Sequence, residues 1–64
     1  MRQISELHIG KYNYERLLLV DNRGTIDFGY LMDGMIKIGQ VFYQLTDFKS
    51  FSTMTELKNK LEII

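Results

Sequence analysis

Two stretches rich in apolar residues, 25–32 and 35–45, are separated by Asp33-Gly34. Asp-Gly supplies the two positive-φ residues of a type I′ turn, whose twist suits a two-residue hairpin. The sequence therefore predicts a hairpin in which Met32 lies opposite Met35. The core-facing side of this hairpin then carries Ile26, Phe28, Tyr30, Met32, Met35, Val41, Tyr43 and Leu45.

A second turn is predicted at Asp21-Asn22-Arg23-Gly24. Asp begins a type I turn well, and Gly takes the left-handed position that closes a three-residue loop. This loop pairs Val20 with Ile26. The residues that it adds to the core face are Tyr14, Leu18 and Val20. A four-residue loop is the alternative, and it would turn Leu17 and Leu19 inward instead.

The N-terminal residues 3–9 are predicted as a first strand that turns back at Gly10-Lys11. The register of that hairpin would place Glu6 opposite Glu15, and like charges in such a pair repel each other. A short helix from Ile4 to Ile9 is therefore the alternative.

At the other end of the chain, Thr53-Met54-Thr55-Glu56 matches the capping box, in which the Thr and Glu side chains accept hydrogen bonds from free N–H groups at a helix start. The apolar stripe that follows consists of Met54, Leu57, Leu61 and Ile64. Its spacing predicts an α-helix over about 54–63 that docks on the sheet. Residues 45–51 are the expected connection, with Phe48 and Phe51 filling the space beneath it.

These elements predict a single domain, residues 1–64, of the α+β class. Its sheet is a small antiparallel β-meander of three to four strands, followed by one C-terminal α-helix packed on one sheet face. The expected elements are strands over about 3–9, 13–20, 25–32 and 35–45 and a helix over about 54–63.

Composition and motifs narrow the classes of function. Eight Lys or Arg balance eight Asp or Glu, and the zero net charge argues against affinity based on neutralising nucleic-acid phosphates. With no Cys and only His8 as an imidazole, a metal site lacks ligands. The chain has neither a nucleophile motif nor a phosphate-binding loop. We therefore predict a non-enzyme with no metal and no cofactor, and we do not expect a nucleic-acid partner.

Membrane and export signals are also missing from this sequence. The longest apolar run is Leu17-Leu18-Leu19-Val20, whereas a helix needs about 20 apolar residues to cross a bilayer. The first residues lack the apolar centre of a signal peptide. Together with the absence of Cys, this predicts a cytoplasmic protein that does not contact a membrane.

The opposite face of the predicted meander is apolar as well. An antiparallel sheet usually has one apolar face and one polar face, so a second apolar face needs cover that one short helix does not supply. The residues of this second face are Leu17, Leu19, Leu31, Ile36, Ile38 and Phe42. We expect them to form a protein-interaction surface for another protein, or for a second copy in a homodimer. The alternative is that the chain curls into a small barrel, or that its N-terminal segment folds over this face.

The function that fits these features is a small interaction module that binds a host protein and inhibits it, through an apolar sheet face or a strand edge. Frequent Phe, Tyr, Met, Ile, Asn and Lys, with no Ala, Pro or Trp, indicate A/T-rich coding. Together with the small size, this favours a phage or another mobile element as the source. The alternatives are a single-stranded nucleic-acid-binding module and a structural subunit of a homo-oligomer.

Overall fold

Residues 1–62, which the computed structural model describes, form one six-stranded antiparallel sheet and a C-terminal helix. The strands are β1 (Arg2–Gln3), β2 (Arg16–Asp21), β3 (Ile26–Met32), β4 (Met35–Ile38), β5 (Val41–Gln44) and β6 (Phe48–Thr53). The helices are α1 (Ile9–Tyr12) and α2 (Met54–Glu62), with single 3-10 turns at Ile4–Glu6 and Leu45–Asp47. The strand order is β1-β6-β2-β3-β4-β5. The α+β class and the antiparallel meander, from β2 to β5, are therefore confirmed.

The two predicted turns set the register of the central strands. Val20 pairs with Ile26 and Met32 pairs with Met35, as the three-residue and two-residue loops require. Asp33 and Gly34 have φ angles of 51° and 85°, which are the positive values of a type I′ turn. The register of the three-residue loop is therefore the observed one, and that of the alternative four-residue loop is not.

The predicted strand over 35–45 is wrong in one respect, because it is two strands. Gly39 has a φ of 62°, and it opens a tight turn that pairs Ile38 with Val41. β5 therefore folds back along β4 as the outermost strand of the sheet. Apolar residues lie directly on both sides of Gly39-Gln40. The sequence pattern therefore resembles one continuous strand.

The N-terminal prediction is also wrong, since residues 3–9 do not form a strand that pairs with its successor. β1 is limited to Arg2–Gln3 and pairs with β6. The chain then passes through the Ile4–Glu6 turn into α1, so the alternative of a short helix is nearer to the structure. After β1, this segment leaves the sheet and packs against the core.

β6 occupies residues that the sequence pattern assigned to a connection. Phe48 and Phe51 are both buried, although an odd spacing places two residues of a regular strand on opposite faces. The register between β2 and β6 shifts between Val20 and Asp21, and such a bulge returns Phe48 to the face that Phe51 occupies. The bulge therefore masks the period of this strand.

The core lies on the face opposite to the predicted one. Of the residues expected to face the core, only Val20 is buried, while Met32, Leu18 and Leu45 are half-buried. The exposed members of that expected set are Tyr14, Ile26, Phe28, Tyr30, Met35, Val41 and Tyr43. The completely buried large side chains are Leu17, Leu19, Leu31, Ile36 and Phe51. We call the side that holds these five residues the inner face.

Curvature explains why this face became the core. The Tyr43 and Phe48 rings meet edge to face with centroids 6.0 Å apart, although four strand spacings, roughly 19 Å in a flat sheet, separate β5 from β6. The sheet therefore curls around the inner face, and Ile4, Leu7 and Tyr12 of the N-terminal segment pack against that core. The N-terminal cover is therefore present, whereas the curled sheet of the described residues keeps the open strand order β1-β6-β2-β3-β4-β5 and does not close into the barrel of the other alternative.

Helix α2 begins where the capping box predicts. The Glu56 N–H donates to Thr53 Oγ1 over 3.1 Å, and the Thr53 N–H donates to Glu56 Oε2 over 3.4 Å. Met54 and Leu57 are half-buried, whereas Leu61 is exposed. The last residue of the predicted stripe, Ile64, lies outside the described residues. The helix contacts β6 and β2, so it leaves the outer side of β3, β4 and β5 uncovered.

Arg2 ties the N-terminal segment to this helix. Its guanidinium lies 2.9 Å from Glu56 Oε1, donates to the Tyr12 hydroxyl over 3.2 Å, and lies over the Phe51 ring. These hydrogen bonds raise the pKa of Arg2. Partial burial alone would raise the pKa of the Glu56 carboxyl, but hydrogen bonds from Arg2 and from the Thr53 N–H outweigh it and leave that pKa below its ordinary value.

Gly29→Ala should destabilise the fold by about 1–3 kcal/mol, because the new Cβ would lie 2.9 Å from Ile38 Cγ1 and 3.0 Å from the Lys37 carbonyl oxygen. Gly10→Ala is the control, since nothing lies within 4 Å of its added Cβ. We expect it to be neutral or to stabilise by up to about 1 kcal/mol. Urea unfolding of both variants measures the difference, and equal stabilities would contradict the close approach at Gly29.

Leu31→Ala should lower the free energy of unfolding by about 2–5 kcal/mol, because it leaves a cavity under the inner face. Ile26→Ala, on a side chain that is 61% exposed, should cost less than about 1 kcal/mol. Chemical denaturation of the two variants compares the faces directly. A larger cost at Ile26 would mean that the core lies on the other side.

Glu56→Gln should make the stability less dependent on acid pH. Because the folded pKa of Glu56 is lowered, its contribution is present above the ordinary carboxyl pKa of about 4.3 and is lost as the pH falls through the folded value. The free energy of unfolding, measured from neutral to acid pH, should therefore fall less steeply in the variant. Glu15→Gln, at an exposed position, is the control and should keep the wild-type pH profile. A wild-type profile in Glu56→Gln would refute the contribution of the Glu56 carboxylate to stability.

Candidate functional site

An uncovered apolar surface lies on the outer side of β3, β4 and β5. Ile26 is 61% exposed, Phe42 52%, Tyr30 47%, Phe28 43% and Met35 38%. The pleat brings these side chains to one side, because their strand partners lie opposite one another and alternate with the inner face. We call these five residues, together with Arg16 and Lys37, the outer face.

The two cations are part of a row that runs directly across four strands. Arg16 pairs with Tyr30, Tyr30 with Lys37, and Lys37 with Phe42, so cationic and aromatic side chains alternate. The Arg16 guanidinium carbon lies 4.7 Å from the Phe28 ring centroid, and Lys37 Nζ lies 5.8 Å from that of Phe42. Both contacts are cation–π interactions that hold the charges against the apolar surface.

The outer face has no negative charge to balance these cations. The acidic residues within the described strands are Asp21 and Asp27, and both occupy positions that alternate with the outer face. An ion pair joins Arg2 to Glu56 at the other end of the sheet. Arg16 and Lys37 thus form no ion pair and no side-chain hydrogen bond among the described residues.

The structure places the predicted interaction surface almost entirely inside the protein. Leu17, Leu19, Leu31 and Ile36 are completely buried. Ile38 is half-buried and packs against the same core, whereas Phe42 is exposed. Of the six predicted residues, Phe42 alone lies on the outer face, because the sheet closes around the others.

The signal that could have separated the faces is charge. Arg16 and Lys37 both fall on the side that the pattern assigned to the core, and charged residues are rarely buried without a partner. The side predicted to face the core also carried six large aromatic or Met side chains, Tyr14, Phe28, Tyr30, Met32, Met35 and Tyr43. The core is filled instead by Leu and Ile side chains and by Phe48 and Phe51.

The remaining polar groups to consider are the imidazole of His8 and the carboxylates along one groove. His8 is exposed, and residues 1–62 contain no group of three or more His, Cys, Asp or Glu side chains placed to hold a metal ion. A groove of about 450 Å³ is lined partly by Asp21 and Asp47. Asp21 Oδ1 accepts from the Arg23 and Thr25 N–H groups, and Asp47 Oδ2 accepts from the Gln44 N–H. Those carboxylates therefore hold turns.

The described helices also include none with the length and apolarity needed to cross a membrane. Comparison with protein-family models, with curated proteins and with solved structures found no match. The function therefore has to be inferred from the outer face itself.

Proposed function

We propose that this chain is a protein-binding module that docks on a partner protein through the outer face. The observation that carries the proposal is the group of five partly exposed apolar side chains on adjacent strands. The described helix α2 covers only the β6 and β2 side of the same sheet. A surface of this kind is removed from water when it meets an apolar surface of a second protein.

The composition of the outer face supports a protein partner. Aromatic residues, Met and Arg are enriched at the centres of protein interfaces, whereas Asp and Glu are depleted there. Phe28, Tyr30 and Phe42 are the anchors, because large rigid side chains carry most of the binding energy in such interfaces. Each gives up only the part of its surface that is still exposed, so it contributes less than the about 1.5–3 kcal/mol of a complete burial.

Such a module acts by covering part of its partner, and it needs no reactive group of its own. The small domain and a residue usage that indicates A/T-rich coding favour a phage or mobile-element protein that modulates a host protein in the cytoplasm. A homodimer through the same face is the competing arrangement. It would bury the outer face against a second copy and make the face unavailable to other proteins.

Phe42→Asp should abolish binding to the partner without unfolding the chain, because the ring is 52% exposed and a carboxylate cannot enter an apolar interface unpaired. Affinity capture from the source cell, with bound proteins identified by mass spectrometry, yields candidates. Each candidate is then purified and titrated against wild type and variant. We expect at least about a tenfold loss of affinity, or ~1.4 kcal/mol.

Leu61→Asp is the control for this experiment, since it places the same charge on an exposed apolar position of helix α2. It should bind like the wild type. Circular dichroism verifies the fold of both variants. A partner that binds Phe42→Asp as tightly as the wild type would refute the outer face as the docking surface, and so would a concentration-dependent dimer of the wild type that Phe42→Asp dissociates.

A further inference from the structure

We propose that the partner segment received by the outer face carries two carboxylates, which pair with Arg16 and Lys37 while its apolar side chains cover Ile26, Tyr30 and Met35. This inference rests on the proposed function, because it names the chemistry of the partner at the same face. It commits to an acidic, apolar protein segment as the occupant.

The argument begins with the position of the two cations. Arg16 and Lys37 flank Tyr30 in one cross-strand row, and their charged groups lie over the rings of Phe28 and Phe42. A protein that covers these rings must also cover the charges. Neither side chain can turn away from the interface without giving up its contact with a ring.

Covering an unpaired charge is unfavourable. A cation removed from water loses its hydration, and it is retained in an interface only if an anion and hydrogen bonds replace the water. The protein itself supplies no anion, since neither cation has an ion pair or a side-chain hydrogen bond within residues 1–62. The partner therefore has to supply the carboxylates.

The spacing of the cations sets the spacing of those carboxylates. Arg16 and Lys37 are separated by the strand of Tyr30, so their backbones lie two strand spacings apart, roughly 10 Å. In a partner helix, residues seven apart rise by roughly 10.5 Å and lie on the same side. Carboxylates at this spacing on one side of a helix reach both cations.

A single nucleic-acid strand fits this face less well. Exposed aromatic rings beside cations resemble a stacking platform, but bases need free ring faces. The guanidinium of Arg16 and the ammonium of Lys37 already lie over the rings of Phe28 and Phe42, so a base would have to displace a cation to stack there. Carboxylates, by contrast, can pair with both cations where they lie.

The test is a selection of short displayed peptides on three forms of the protein: wild type, Phe42→Asp, and the double variant Arg16→Gln with Lys37→Gln. A second double variant, Arg23→Gln with Lys49→Gln, is the matched control, because it removes one Arg and one Lys at exposed positions away from the outer face. Single-stranded oligothymidylate is titrated against all forms as the nucleic-acid probe.

We expect peptides selected on the wild type to combine apolar residues with two carboxylates seven residues apart. Their affinity should fall at least about tenfold on the Arg16 and Lys37 double variant and on Phe42→Asp, and remain unchanged on the matched control. Replacement of both peptide carboxylates by amides should produce the same loss on the wild type.

Other results distinguish the two proposals. One outcome is the selection of apolar peptides without carboxylates, whose binding is lost on Phe42→Asp but kept on the Arg16 and Lys37 double variant. This outcome would overturn the acidic partner but not the docking face. Failure to recover any peptide that depends on Phe42 would overturn both. A further outcome is that oligothymidylate binds, that this binding is lost in moderate salt and in the Arg16 and Lys37 double variant, and that no acidic peptide is recovered. This outcome would identify a nucleic acid, and not a protein, as the partner.

Discussion

The curl of the sheet around its inner face is the constraint on which the rest of the structure depends. A domain of this length has one small core, and the meeting of Tyr43 with Phe48 shows how closely the sheet surrounds it. Leu and Ile side chains and Phe51 fill that volume, and Gly29 lets β4 approach β3 because a Cβ there would clash. The rings of Phe28, Tyr30 and Phe42 are left on the convex side, where they stay partly exposed.

The same curl separates two kinds of cover. The N-terminal segment and the residues before β6 close the inner face, and Arg2 joins that cover to helix α2 through Glu56 and Tyr12. The helix contacts β6 and β2. The N-terminal segment and helix α2 both pack near β6 and β2. The outer sides of β3, β4 and β5 therefore keep exposed aromatic rings, next to the cations Arg16 and Lys37. The proposed function follows from this uneven cover.

Local chemistry explains which parts of the fold were predictable. Asp33-Gly34 and Asp21 to Gly24 determine their turns within a few residues, and each turn determines the register of the strands beside it. The capping box works in the same way, since Thr53 and Glu56 bond to each other's backbone. β6 was not predicted as a strand because a bulge breaks its period. The turn at Gly39 was not predicted because apolar residues lie on both sides of it.

The sequence by itself determined the class, the register of the central hairpins and the start of the helix, since these depend on contacts between near neighbours along the chain. Only the tertiary structure decided which face of the sheet became the core. Both faces carry enough apolar residues for that role. The choice depends on the N-terminal segment and on β6, which come from distant parts of the chain and meet at one side of the sheet. The candidate site was therefore predicted as an apolar sheet face, but with the wrong side chains: Leu31 and Ile36 are enclosed, and Phe28 and Tyr30 face water.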